Sequence, residues 1–112
     1  MLVVDADVES ACQVALVLRA RHAVRIAVGL RDAVHEVARA VPDVIVCAFD
    51  MPPFRGDALL EMVAREHPEV RRVLFRGKHR QGPPLSGDAA HAVLTKPLSP
   101  SDLLAAVYDG DG

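Results

Sequence analysis

The chain has 112 residues, of which 51% are hydrophobic, and this suits one compact domain with a single core. A formal net charge of -2 and an aromatic content of 4% argue against a general polyanion binder and a base-stacking platform. No apolar run is long enough to span a membrane, and the start is too short for a signal peptide. We therefore expect a cytoplasmic protein that binds neither nucleic acid nor membranes.

The cysteines and histidines do not have the spacing of a metal site. Cys12 and Cys47 are far apart and belong to no CxxC or Cys/His motif, so both are predicted to be small, buried and reduced. The five histidines show no i, i+4 pairing. No metal and no cofactor are expected.

Short Val-rich runs alternate with amphipathic segments, the pattern of a parallel sheet covered by helices on both faces. The predicted strands are Leu2 to Val4, Val24 to Val28, Val44 to Phe49, Val70 to Phe75 and Ala92 to Thr95. The predicted helices are Glu9 to His22, Asp32 to Val41, Asp57 to His67 and a last helix capped by Ser99 that runs to Tyr108. A stiff loop follows the third strand because it contains Pro52 and Pro53. Residues 77–87 are predicted to form a loop where the alternation calls for a helix.

Helical spacing gives the first two helices one apolar face each. The face of the first helix consists of Ala11, Val14, Ala15 and Leu18. The face of the second consists of Ala33, Val34, Val37, Ala38 and Val41. Leu16 and Val17 fall outside the first face, so they belong either to a partner or dimer surface or to shared core.

Three short motifs stand in a characteristic order. Leu2-Val3-Val4-Asp5 forms the first, Pro42 to Val46 leads to Met51-Pro52 and Gly56, and Leu94-Thr95-Lys96-Pro97-Leu98 precedes the last helix. Together they resemble the CheY-like receiver domain of two-component response regulators, over nearly the whole chain. The resemblance implies an α/β fold with a doubly wound five-stranded parallel sheet of order 2-1-3-4-5, with the fourth helix short or replaced by a loop. The active edge would lie at the carboxyl ends of the strands.

In that family, an aspartate that ends the third strand accepts a phosphoryl group from phosphohistidine. Two acids after the first strand hold Mg²⁺, and a hydroxyl on the fourth strand and a lysine on the fifth assist. Counting back from Met51 and Gly56 places the acceptor position on Ala48, whose methyl group cannot accept a phosphoryl group. The resemblance therefore predicts a degenerate pseudo-receiver with no catalytic residue.

Other functional positions of the family are also lost. The second acid is replaced by Ala6, the fourth-strand hydroxyl by Arg76, and the aromatic switch residue by Val93. Asp5 and Lys96 remain. The predicted degenerate pocket comprises Asp5, Ala6, Ala48, Asp50, Arg76, Lys96 and Pro97.

Several interpretations of this pocket remain open. Arg76 and Lys96 could form ion pairs with Asp5 and Asp50 that fix one conformation, or Arg76 could point to solvent. Asp50 could serve as a substitute nucleophile. Asp5, Asp7 and Asp50 could gather enough oxygen for weak Mg²⁺ or Ca²⁺ binding, although the nearby cations oppose it.

One stretch concentrates positive charge. It contains Arg71, Arg72, Arg76, Lys78, His79 and Arg80. This is either a solvated loop or a docking surface for an acidic partner, with Arg76, Lys78, His79 and Arg80 as the candidate partner-binding loop.

We therefore expect a domain over residues 1–109, followed by a flexible tail or the start of a linker at 110–112. The expected function is non-enzymatic: a phosphorylation-independent module that binds a signalling protein and regulates bacterial signal transduction. A homodimer is a further option. The alternative is a sensor that holds a small anion or a nucleotide-like effector in the emptied phosphate pocket through Arg76 and Lys96.

Overall fold

The Val-rich runs form the parallel sheet that their pattern predicts. The structure is a computed structural model that describes residues 1–20, 22–51, 54–77, 90–95 and 99–108. In this part of the chain the parallel strands are β1 Leu2–Val4, β2 Arg25–Ala27, β3 Val44–Ala48, β4 Arg71–Arg76 and β5 Ala92–Thr95. The helices are α1 Val8–Leu18, α2 Leu30–Arg39, α3 Gly56–Glu66 and α4 Pro100–Tyr108. A separate two-stranded antiparallel hairpin pairs Asp50–Met51 with Phe54–Arg55.

The sheet has the order β2-β1-β3-β4-β5, which confirms the predicted doubly wound α/β fold. Its central strand β3 is covered on both faces, so Ile45, Val46 and Cys47 are fully buried. All strands are parallel, so their carboxyl ends meet along one side of the sheet, the carboxyl edge. Their starts form the opposite side, the amino edge.

In the described part of the chain, two helices cover each face of the sheet. The helix α1 packs on β1 and β2 and touches α4, while α2 packs on β2 and touches α3. The predicted buried face of α1 is confirmed, since its buried residues are Ala11, Val14, Ala15 and Leu18. The predicted face of α2 is too wide: Ala33 and Val37 are buried, whereas Val34 is 41% exposed. The reason is that α2 lies over the edge strand β2, which covers only a narrow stripe.

The two cysteines differ, although both were predicted to be buried. Cys47 in β3 is buried, and Cys12 in α1 is exposed. The prediction for Cys12 is wrong because position 12 lies on the outer side of the helix, four residues after the exposed Val8.

The ends of the helices follow local chemistry. The Ser99 hydroxyl accepts the Asp102 N–H at 3.0 Å, which confirms the predicted cap of α4.

No helix in the described ranges is long and apolar enough to cross a membrane. The predicted loop at 78–87 and the predicted tail at 110–112 lie outside the described residues.

Candidate functional site at the carboxyl edge

Ala48 ends the central strand β3 at the carboxyl edge. It pairs with Phe75 of β4, and the next residue, Phe49, donates its N–H to the Phe75 carbonyl at 2.8 Å. Ala48 is only 4% exposed. The position where the resemblance places a phosphoryl acceptor thus holds a methyl group, which has no lone pair to attack phosphorus.

Gly56, the first residue of α3, packs directly against the end of β3. Its N–H donates to the Phe49 carbonyl at 2.8 Å. A Cβ at this position would lie 1.9 Å from the Ala48 carbonyl oxygen and 3.0 Å from the Cys47 sulfur. Only glycine permits so close an approach. The close packing of α3 against the end of β3 therefore requires glycine at position 56, eight residues after Ala48.

The segment between β3 and α3 was predicted to be a stiff loop without strand pairing. Instead, Asp50 pairs with Arg55 in the short hairpin, on either side of the two prolines, which lie outside the described residues. The hairpin turns Asp50 toward the end of β4. A Cβ added at Gly77 would lie 3.8 Å from Asp50 Oδ2.

An ion pair missed by the sequence reasoning holds this hairpin to α3. The Arg55 Nε–H donates a hydrogen bond to Asp57 Oδ1 at 3.1 Å, and its Nη2–H donates to Asp57 Oδ2 at 2.6 Å. The guanidinium also lies 4.9 Å from the centroid of the Phe49 ring. Asp57 is 3% exposed, and it lies in the first turn of α3, where a carboxylate is favoured. The only sequence signal was an acid in that first turn.

Asp5 follows β1 and is 3% exposed. Its Oδ1 accepts the Asp7 N–H at 3.0 Å, whereas its buried Oδ2 has no hydrogen-bond partner among the described residues. Asp7 caps α1 by accepting the Glu9 N–H at 3.1 Å. The Asp7 carboxylate is therefore engaged in capping. Ala6, between the two acids, is exposed.

The Cys47 thiol lies among these buried groups. It donates to the Ala48 carbonyl at 3.3 Å and lies 3.7 Å from the Gly56 carbonyl. Burial raises the pKa of the Cys47 thiol well above its usual value, and the negative charges of Asp5 and Asp57 raise it further. Cys47 is consequently held as an unreactive thiol.

Arg76 ends β4 and is half-buried. Within the described ranges, its guanidinium forms no ion pair with Asp5 or Asp50 and no hydrogen bond. Of the two open interpretations, the ion pairs of Arg76 with Asp5 and Asp50 are therefore not formed, and the predicted pairs of Lys96 lie outside the described residues. Among the described residues, no three His, Cys, Asp or Glu side chains gather as a metal site would require.

The charged stretch predicted from the sequence is divided in space. Arg71 and Arg72 begin β4 at the amino edge, and Arg76 ends it at the carboxyl edge. Arg71 donates Nε to the Ala106 carbonyl at 2.6 Å, and Arg72 is 7% exposed. These two arginines therefore do not contribute to a surface patch with Arg76. The remaining predicted site residues, Lys78, His79, Arg80, Lys96 and Pro97, lie outside the described residues.

A cavity of about 230 Å³ lies at the amino edge, away from the predicted pocket. Its lining residues are Met1, His22, Ala23, Asp43, Val44, Val107 and Tyr108. At this cavity the end of α4 meets the residues after α1, where the His22 imidazole contacts the Tyr108 hydroxyl.

Solved structures that are similar to this chain include receiver domains of response regulators. A predicted response regulator from Chloroflexus aurantiacus is 27% identical with a TM-score of 0.80, covering 92% of this chain and 88% of that chain. A CheY-like receiver domain from Methanospirillum hungatei is 23% identical with a TM-score of 0.82, covering 92% and 85%. The BeF₃-activated receiver domain of DrrB is 25% identical with a TM-score of 0.76, covering 93% and 89%. By sequence, the chain matches no protein-family model, and no curated protein is significantly similar to it.

Proposed function

We propose that the chain is a receiver-like domain that works without phosphorylation, as a protein-binding regulatory module in bacterial signal transduction. The observation that carries the proposal is Ala48 at the end of β3. The receiver fold is retained around this position, including the close packing of Gly56. The nucleophile itself is absent, and Ala6 and Arg76 stand where the family has an acid and a hydroxyl. Such a domain would be a non-enzymatic, cytoplasmic component, and binding alone would change its state.

A phosphorylation assay tests this proposal. Wild type is incubated with acetyl phosphate and Mg²⁺, and intact mass spectrometry measures whether one phosphoryl group is added. We expect none. Phosphorylation of wild type would overturn the proposal, and its loss in Asp50→Asn would then identify Asp50 as the substitute acceptor.

A variant that restores the functional residue types of the family provides the matched positive control. The triple variant Ala6→Asp, Ala48→Asp, Arg76→Thr recovers the acid pair, the nucleophile and the hydroxyl that the family uses. We expect it to acquire a phosphoryl group, whereas the double variant Ala6→Asp, Arg76→Thr should not. Circular dichroism confirms that both fold. Equal labelling of the two variants would contradict the assignment of position 48.

The partner-binding role requires its own measurement. Affinity capture is carried out with and without acetyl phosphate, using wild type, Arg80→Glu in the candidate loop and Arg65→Glu on α3 as a charge-matched control. We expect one signalling protein to bind equally with and without acetyl phosphate. Its loss only in Arg80→Glu would place binding on the loop, and phosphate-dependent capture would contradict the proposal.

A second candidate is a sensor for a small anion or nucleotide-like effector, and the half-buried Arg76 favours it. Its guanidinium lies at the carboxyl edge without a hydrogen bond or ion pair in the described part of the chain, so it is available for an anionic ligand. A thermal-shift titration with phosphate, acetyl phosphate and ADP separates the two functions. A sensor gains stability with ligand concentration and loses that gain in Arg76→Ala but not in Arg65→Ala, whereas an adaptor shows no shift.

A further inference from the structure

The outer side of α1 carries a row of exposed apolar groups, which we call the outer stripe. It consists of Val8, Cys12 and Leu16, each four residues after the last, so they lie one above another on the helix. Val8 is 53% exposed, Leu16 is 71% exposed, and Cys12 is exposed as well. The inner side of α1 packs on the sheet. This helix is therefore apolar on a second side, about 100° around the helix from the middle of its buried face.

The helix α2 shows what an ordinary solvent-facing helix of this protein looks like. Its exposed positions include the charged or polar Arg31, Asp32, His35 and Arg39 but also Val34, which is 41% exposed. A lone exposed leucine needs no explanation, but three aligned apolar side chains form a continuous patch. Val8 and Leu16 are also the two most exposed large apolar side chains among the described residues, which favours a partner over the outer stripe.

The charges beside the outer stripe favour a second copy of the same chain. Glu9 flanks the amino-terminal end of the stripe, and Arg19 continues its line just past the carboxyl-terminal end. Both side chains are exposed, and neither takes part in an ion pair within the described ranges. When two copies of α1 lie antiparallel about a twofold axis at Cys12, Glu9 of each copy lies about 6 Å along the helix axis from Arg19 of the other, an offset that their long side chains can span.

The same arrangement makes the apolar groups self-complementary. With the twofold axis at Cys12, Val8 of one copy faces Leu16 of the other, and the two Cys12 side chains meet at the axis. An isologous interface requires this relation, since each contact must occur twice. We propose that the outer stripe of α1 is a homodimer interface in which two copies of the helix pack antiparallel about Cys12. This inference is independent of the proposed function.

Sedimentation velocity over a range of protein concentrations tests the proposal. One helix pair falls short of a standard interface, which buries about 800 Å² per partner, so we expect a weak dimer with a Kd on the order of tens of micromolar. Leu16→Glu should raise the Kd at least about 10-fold, because it buries two carboxylates in the interface. The matched control is Val34→Glu, an exposed valine on α2, which should dimerise like wild type. A wild type that stays monomeric, or a Leu16→Glu variant that still dimerises, overturns the proposal.

Cys12 reports the position of the axis directly. Cys47 is buried, so a short bismaleimide added to the native protein should react at Cys12 and link two copies. Cys12→Ser should abolish the linked dimer and Cys47→Ser should not. Failure of Cys12 to link at protein concentrations where the dimer forms would contradict an axis at this residue.

Charge reversal tests the antiparallel orientation. Arg19→Glu should weaken the dimer, and the double variant Glu9→Arg, Arg19→Glu should restore it, since each new arginine meets a new glutamate across the axis. Melting temperatures of the dilute, monomeric variants serve as controls for folding. If the double variant is weaker than Arg19→Glu alone, the antiparallel arrangement is wrong.

Discussion

The amino edge and the carboxyl edge of the sheet treat their charged groups differently. At the amino edge, arginines tie the ends of helices to the sheet. Arg25 donates to Glu36 Oε1 and to the Ala40 carbonyl, each at 2.6 Å, and so holds the end of α2. Arg71 donates to the Ala106 carbonyl in the last turn of α4, where a cation also suits the helix dipole.

At the carboxyl edge, some polar groups have no such partner within the described ranges. One oxygen of the buried Asp5 accepts no hydrogen bond from a described residue, and the Arg76 guanidinium is not paired with either Asp5 or Asp50. The Arg55–Asp57 ion pair is the exception, and it fixes the start of α3. Open α/β sheets bind their ligands at the carboxyl edge, and a buried polar group without a partner often marks function. In the described part of the chain, the amino edge therefore uses its arginines to hold helix ends, whereas the carboxyl edge leaves Arg76 and one oxygen of Asp5 without a partner.

The most disruptive test of this comparison is Gly56→Ala, because it breaks the backbone packing on which the carboxyl edge is built. The added Cβ would lie 1.9 Å from a carbonyl oxygen, so α3 itself must move. We expect a loss of at least about 3 kcal/mol in the free energy of unfolding, measured by urea titration. Gly77→Ala is the control, since its Cβ would make ordinary contact at 3.8 Å. Equal stability of the two variants would show that α3 is not held tightly.

A pair of arginine substitutions compares the two ends of β4, one at the amino edge of the sheet and one at the carboxyl edge. Arg72→Ala removes a buried guanidinium that donates to the Val70 carbonyl at 3.2 Å, and it leaves a cavity. We expect a loss of about 2 kcal/mol. Arg76→Ala should change the free energy of unfolding by less than about 0.5 kcal/mol, because its guanidinium is only half-buried and bonds to no described group. The comparison fails if Arg76→Ala costs as much as Arg72→Ala.

Asp5→Asn tests whether the carboxyl edge holds a destabilising charge. Asparagine retains an oxygen to accept the Asp7 N–H and removes a buried negative charge that lies near Cys47 along with Asp57. We expect the free energy of unfolding to rise by about 1 kcal/mol. Asp7→Asn, at the exposed cap, is the control and should change little. A destabilised Asp5→Asn would mean that Asp5 has a stabilising cationic partner.

Much of the fold could be predicted because its signals are local. The buried run Val44 to Phe49 has the apolar continuity of a central parallel strand, and both the buried face of α1 and the Ser99 cap follow from spacing and hydrogen bonding. The exposed position of Cys12 was also readable, since helical geometry places it outside the buried face of α1.

The charged groups at the candidate site could not be predicted in the same way. Residues close in sequence are separated by the length of a strand, so Arg71 and Arg76 lie at opposite edges of the sheet. The Arg55–Asp57 ion pair depends on where the hairpin places Arg55 above Phe49. Ala48, Ala6 and Arg76 could be read directly from the sequence, because the resemblance assigns residue types to fixed positions.

The smallest expected effect is a pH dependence of the free energy of unfolding that arises from His91 at the amino edge. The Nδ1 atom of the neutral His91 ring accepts the backbone N–H of Arg72 at 2.9 Å. The backbone N–H of His91 in turn donates to the Arg72 carbonyl at 2.7 Å. Partial burial lowers the pKa of His91 from the usual 6.5, and the charges of Arg72 and Arg71 lower it further. The unfolded chain therefore takes up this proton at a higher pH than the folded protein. The resulting loss of stability begins as the pH falls through 6.5 and is complete below the folded-state pKa.

The matched variant is His91→Asn, whose side-chain oxygen can accept the same N–H without titrating. Urea unfolding at about pH 7.5 and about pH 5.5 should show wild type losing a few tenths of a kcal/mol more than His91→Asn, a small difference because the ring is exposed to solvent. His35→Asn, on the exposed side of α2, should lose as much as wild type. If wild type and His91→Asn respond equally, the hydrogen bond from Arg72 does not depend on a neutral ring. The β4 and β5 strands would then be held at the amino edge by their backbone pairing alone.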